Sequence, residues 1–326
     1  MAIDNAALAR RFSMPAAWEQ WIDAFVGNKT RHFAVDLETG EQCCTLADLG
    51  ETAGQRALAA AGLRPADVDL MVMGTCSPDL LMPTTADVIA DRLGIDGIPA
   101  FQLQSGCTGA VQALNIAHEM LRSGGYQTAL VLGGDCCAKH LDLNIDVTSL
   151  SPAEQVNGVL FGDGAGAAVL STEPGPGSAA IRHVFVRLSG LGRAPGQVVE
   201  WFGRADRDSV KTPVTEDYKA IEESVPVMAG EALADLLAAL GWDEDDVDYL
   251  LPPQLSGVMT TKITKHLDLP GAAEISVVAE TGNTGNALPF FQLERALPRM
   301  ISGDRALAIS VESSKWIRAG FALERA

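Results

Sequence analysis

Residues 103 to 121 read LQSGCTGAVQALNIAHEML, which sets Cys107 among glycines at the head of an apolar run with helical spacing. A cysteine at the first turn of a helix meets unpaired N–H groups and the positive end of the helix dipole, and both favour the thiolate. Flanking glycines let a thioester approach the backbone, where an N–H can stabilise the oxyanion formed on attack. The alternative for a lone cysteine is a small, inert core residue. A second turn favours chemistry: GNTG at 282 to 285 matches GCTG at 106 to 109. The Asn283 amide carries donors and an acceptor, which suits binding a thioester carbonyl or an enolate. Taken alone, Asn283 would read as a turn residue ahead of Thr284.

The two turns belong to a chain written twice. AGQRALAAAGLRPADVDLMVMGT (53 to 75) has a partner in AGEALADLLAALGWDEDDVDYLLPP (229 to 253). Each predicts a helix, a glycine stop, an acidic loop and a buried strand. The register continues with VIADRLGI (88 to 95) against KITKHLDL (262 to 269), and TALVLGGD (128 to 135) against RALAISVE (305 to 312). Cys107 and Asn283 stand at the same offset as Gly54 and Gly230, so they are pseudo-symmetry partners. Two copies, not three or more, predict two similar α/β halves instead of a solenoid. The expected division is 1–172, carrying Cys107, and 173–326, carrying Asn283. Strand-to-helix turns at equivalent places in such halves can face one pocket.

The run FGDGAGAAVL (161 to 170) imitates a dinucleotide fingerprint but lacks the acidic residue expected about 20 positions on. Its glycines are expected to let a strand pack closely, and no nicotinamide cofactor is expected. Of the five histidines, His118 follows Cys107 on its helix by about 16 Å, too far to reach the thiol. His266 is expected at the surface. His140 is the histidine worth testing, and Glu280, Glu222 and Glu223 are the acidic candidates for a base.

With 326 residues, 47% of them apolar, the chain can build a large core without staples. No apolar run reaches the roughly 18 to 20 residues a membrane helix needs, and the first residues mix charges instead of forming a signal pattern. A cytoplasmic protein without a membrane partner is expected. The six cysteines lack zinc-site spacing, so reduced thiols and no metal are expected. A formal charge of −18 would repel a phosphate backbone, which argues against nucleic acid. Basic residues do gather at Arg182, Arg187, Arg193, Arg204, Arg207, Lys211 and Lys219, either as a patch for an acidic carrier or as a solvated loop.

From TRHFAVD (30 to 36) through GCTGAVQALNIA, FGDGAGAAVL and GNTG to GFALERA, the chain resembles the β-ketoacyl-acyl-carrier-protein synthase III group of the thiolase superfamily. The resemblance implies a five-layered αβαβα fold and a homodimer formed through the core sheets. It also implies that acyl-CoA or a phosphopantetheine thioester on an acyl carrier protein loads Cys107, with no tightly bound cofactor. In condensing members a histidine and an asparagine bind the malonyl thioester carbonyl and favour decarboxylation. Asn283 matches that asparagine, but Pro253 stands at the histidine position, and its nitrogen has no proton to donate. A glycine-rich oxyanion loop is replaced by ESSKWIRAG (312 to 320), which leaves backbone N–H groups of Cys107, Ser314 and Lys315 as oxyanion donors. Losing one enolate donor costs decarboxylative condensation about 3 kcal/mol. The leading expectation is therefore an acyltransferase that passes the acyl group from Cys107 to a small-molecule alcohol, amine or thiol in fatty-acid, polyketide or secondary metabolism. Carbon–carbon condensation with altered catalytic groups is the alternative. A non-catalytic partner subunit of an active synthase is a third.

Overall fold

A computed structural model describes residues 2–175, 177–200 and 214–326. Arg204, Arg207 and Lys211 of the basic cluster lie outside the described residues. The chain opens with β1 (Ile3–Asp4), α1 (Asn5–Arg11), α2 (Ala16–Phe25) and β2 (Thr30–Arg31). The first repeat follows as α3 (Leu46–Ala61), β3 (Leu70–Thr75), α4 (Thr85–Leu93), β4 (Ala100–Gln104), α5 (Gly109–Arg122) and β5 (Thr128–Asp135). It closes with α6 (Pro152–Leu160) and β6 (Gly164–Ser171). Next come β7 (Ala179–Leu188) and the ribbon β8 (Gln197–Val199) with β9 (Val214–Glu216). The second repeat is α7 (Tyr218–Leu240), β10 (Tyr249–Leu251), α8 (Gly257–Leu267), β11 (Ala273–Glu274), α9 (Val278–Thr281), α10 (Leu288–Ala296), β12 (Arg305–Glu312) and β13 (Ile317–Arg325).

Local sequence sets the helix limits. Thr45 and Asp48 form a reciprocal capping box at the start of α3, and Gly62 ends it at φ 67°. The matching helix α7 stops at Gly241, φ 65°. The strand β3 that follows is buried at every position, as a central parallel strand covered on both faces requires.

The sheets repeat too. One runs β4-β3-β5-β6 and the other β11-β10-β12-β13, with β7 added beyond β13. In each, the first three strands are parallel and the fourth is antiparallel. Apolar side chains of α3 and α4 cover the outer face of the first sheet, and those of α7 and α8 cover the second. Between the sheets lie α5 and α10, packed through Val111, Leu114, Phe290 and Leu293. The order is helix, sheet, helices, sheet, helix: the five-layered αβαβα thiolase fold. The glycine run forms β6, where a Cβ at Gly166 would lie 2.5 Å from the Phe290 Cβ. Close strand-to-helix packing accounts for that run. Among the described residues, no helix is long and apolar enough to cross a membrane.

Candidate active site

Strand β4 ends at Gln104, and Ser105, Gly106 and Cys107 turn the chain into α5 behind the N-cap residue Thr108. In the second repeat, Asn283 follows α9 and leads through a 3-10 turn at Gly285–Ala287 into α10. Asn283 is pinned by its backbone: its N–H donates to the Leu160 carbonyl at 2.9 Å, and its carbonyl accepts from the Gly162 N–H at 3.1 Å. Its Oδ1 accepts from the Gly285 N–H at 3.0 Å. Among the described residues no hydrogen-bond partner takes its Nδ2. Cys107, Pro253 and Asn283 line one cavity of ≈ 30 Å³, walled by Leu288, Ile309 and Val311.

Two carboxylates cross between the halves to hold these turns. Asp135, the last residue of β5, accepts from the Asn286 N–H and Nδ2, each at 2.9 Å, so the first half grips the turn of the second. It also accepts from Thr75 Oγ1 at 3.0 Å, the Cys76 N–H at 2.8 Å and Ser77 Oγ at 2.9 Å. Glu312, the last residue of β12, accepts from Thr108 Oγ1 at 2.7 Å, Ser105 Oγ at 3.0 Å and the Thr108 N–H at 3.4 Å. Ser314 Oγ donates to its other oxygen. The second half thus grips the cysteine turn. At the crossing point, the Ala110 N–H donates to Asn286 Oδ1 at 2.8 Å.

These carboxylates reverse one expectation about the thiol. Cys107 opens on the cavity, yet protein surrounds it, and burial pushes its pKa well up; Glu312, Cys76, Asp135 and Glu216 push it further. The N–H groups at the head of α5 do not favour a thiolate because they are engaged. Thr108 donates to Glu312 and Ala110 to Asn286. Cys107 rests as a thiol.

Ser314 and Lys315 sit in the turn between β12 and β13, and neither lines the cavity. Lys315 is exposed, with its Nζ donating to the Arg193 carbonyl at 2.6 Å. Trp316 beside it is buried at φ 62°, with its Nε1 donating to the Ala194 carbonyl at 2.7 Å and the Arg193 guanidinium 3.8 Å over its ring. The backbone N–H groups of Cys107, Ser314 and Lys315 have no hydrogen-bond acceptor among the described residues.

The other candidates lie apart. His140 is exposed and outside the cavity. Glu280 pairs with Arg295, and Glu222 with Lys262 at 2.9 Å; Glu223 is exposed, and none of the three lines the cavity. Within the basic cluster, Arg182 pairs with Glu324 at 2.9 Å and Arg187 with Asp235 at 3.4 Å, so those cations face carboxylates of this chain. Sequence reasoning missed Asp135, Glu312, Asn286 and Gln254. Gln254 accepts from the Val277 and Val278 N–H groups, each at 2.8 Å, and so fixes the chain entering α9. A signal for the carboxylates was present, since the repeat strands TALVLGGD and RALAISVE both end on an acid.

Two stacked α/β repeats whose cysteine and asparagine turns share a cavity define a thiolase-fold enzyme that handles acyl groups. The chain belongs to the β-ketoacyl-[acyl-carrier-protein] synthase III family. Residues 101–188 match the family model described as 3-oxoacyl-[acyl-carrier-protein (ACP)] synthase III, and residues 237–313 match that of its C terminal region. A β-ketoacyl-[acyl-carrier-protein] synthase III of Neisseria meningitidis is 32% identical over 274 residues, covering 82% of this chain and 78% of its own. Among solved structures, a tetronic acid condensing enzyme is 60% identical with a TM-score of 0.97, covering 99% of this chain and 96% of its own. The 3-oxoacyl-(acyl carrier protein) synthase III of Pseudomonas aeruginosa is 27% identical with a TM-score of 0.83, covering 100% and 94%. A priming β-ketosynthase of a polyketide biosynthetic pathway is 27% identical with a TM-score of 0.81, covering 99% and 92%.

Proposed function

We propose that this protein accepts an acyl group on Cys107 from an acyl-CoA or acyl carrier protein and passes it to an alcohol without decarboxylation. The observation that carries this reading is Pro253 in the wall of the Cys107 and Asn283 cavity, where an imidazole would assist decarboxylation. Asn283 Nδ2 is left to hold a thioester carbonyl, and the unengaged N–H of Cys107 is assigned to the oxyanion, since Ser314 and Lys315 do not line the cavity. Acceptance by an amine or a thiol follows the same route.

The likeness to a tetronic acid condensing enzyme extends the proposal. A tetronic acid is a five-membered lactone with one ester bond and one carbon–carbon bond between the acyl α-carbon and a second carbonyl. A β-ketoacyl group on Cys107 and a 2-hydroxyacyl thioester supply every ring atom. The hydroxyl attacks the Cys107 thioester, forming the ester and returning the thiol. The carbon between the two acyl carbonyls then loses a proton and attacks the second thioester, whose thiolate leaves and takes that proton. No carbon dioxide is lost. An enolate shared between two carbonyls depends less on protein donors than one made by decarboxylation, which fits the absent histidine. We further propose a cytoplasmic homodimer, with its second copy on the open edge of β4, the strand that carries the exposed Phe101.

Retained Asn283 favours the second reading, decarboxylative condensation. Carbon dioxide release from a malonyl thioester, measured with Cys107 fully acylated, separates the two. The proposal expects little release; rapid release coupled to carbon–carbon bond formation overturns it in favour of the second reading.

A further inference from the structure

The Cys107 turn is held by an anion. Glu312 is 3% exposed, and its oxygens receive hydrogen bonds from Ser105 and Thr108, the residues on either side of Gly106 and Cys107. Its carboxylate is packed so tightly on this turn that a Cβ at Gly106 would lie 2.8 Å from the Glu312 Cδ. Donors converge on both oxygens, the pattern of a carboxylate that only accepts. Among the described residues no Lys, Arg or His forms an ion pair with it. Asp135 stands behind the same pair of turns, held by uncharged donors. A buried negative charge without a counter-ion acts over several ångströms, because little water screens it.

Cys107 itself is uncharged at rest, so the turn and Glu312 together give a neutral acyl group no penalty. Glu312 does not itself line the cavity, but its carboxylate is packed on the turn that carries Cys107, so a substrate with a free carboxylate brings like charge toward it. We infer that Glu312 selects the substrate class at Cys107, admitting thioesters with uncharged acyl groups and turning away those with a free carboxylate such as malonyl. This rests on the reading that Cys107 accepts acyl groups, and it gives that reading a physical filter: malonyl is refused by charge before the missing histidine matters. Glu312 acts on the charge of the incoming group and is a specificity residue with no assigned proton transfer.

Iodoacetamide and iodoacetate test this without any thioester, since they differ mainly in charge and both alkylate Cys107. Rates at Cys107 are read by peptide mass spectrometry and divided by the same rates on free cysteine. The wild type should prefer iodoacetamide by on the order of tenfold more than free cysteine does, as expected for like charges at short range in a partly screened site. Glu312→Gln should lose most of that excess, whereas Glu312→Asp, which keeps the charge, should retain it. A role confined to bracing the turn would change both reagents' rates together and leave their ratio alone. A wild-type ratio equal to that of free cysteine overturns the inference even if no variant folds, and so does an unchanged ratio in Glu312→Gln. Failure of acyl thioesters to load Cys107 would instead sink the proposed function and leave the alkylation ratio to be judged separately. A final arm compares malonyl-CoA with its methyl ester as competitors of alkylation, and the ester should protect Cys107 at lower concentration in the wild type.

Discussion

At the scale of the residue, Cys107 combines exposure to a cavity with surroundings that hold it as a thiol. Burial and then Glu312 oppose the thiolate, so the anion forms only above the ordinary cysteine range. Because the thiolate is the reactive form, alkylation of Cys107 by iodoacetamide should be slower than that of free cysteine near neutral pH. It should also keep rising beyond the pH at which free cysteine levels off. A Cys107 profile with a midpoint below that of free cysteine would show that the head of α5 governs the thiol after all. Covalent loading is the companion test. Incubation with a panel of acyl thioesters, read by intact mass, should load the wild type, Cys136→Ala and Cys137→Ala but not Cys107→Ala. Cys136 is a core residue, 2% exposed, and does not line the cavity, so a thioester bound there does not reach it.

At the scale of the element, the position of Cys107 depends on how closely α5 lies on β3. Gly74, in the middle of the first sheet, is where they meet: a Cβ there would stand 2.3 Å from the carbonyl carbon and oxygen of Gly109. Backbone cannot swing aside as a side chain can. Gly74→Ala should therefore push the head of α5 away from the sheet, cost about 1 to 3 kcal/mol in a denaturant titration, and reduce Cys107 loading more than global unfolding explains. Full stability with unchanged loading would mean that the helix shifts freely. Gly133 plays the matching part for the other turn, since a Cβ there would lie 2.3 Å from the Asn286 carbonyl oxygen.

At the scale of the whole molecule, β4 leaves one edge open and carries Phe101, which is 42% exposed. An exposed strand edge with apolar neighbours is where a second copy of the chain would extend the sheet. Light scattering should give the mass of a dimer, and Phe101→Asp should shift it toward the monomer as concentration falls. A wild type that stays monomeric at high concentration removes the homodimer and with it the continuous sheet. A stable mass made of two different chains would favour the partner-subunit reading.

The sequence by itself determined the duplicated α/β architecture, because helix and strand periods repeat in register through both halves and each repeat brings its own caps and glycine stops. It also marked Cys107 and Asn283, because a duplicated turn exposes the positions where its two copies differ, whereas Pro253 was marked by the resemblance to the synthase III family. Only the tertiary structure decided the electrostatics between those turns. Asp135 and Glu312 end strands far along the chain from the turns they hold, and each crosses to the opposite half. A helix read alone offers free N–H groups to a thiolate; folded, those groups meet a carboxylate and an amide brought from the other half. Local pattern fixes elements because it is written in neighbouring residues, whereas the charge felt at Cys107 depends on which distant side chains the stacked sheets bring beside it.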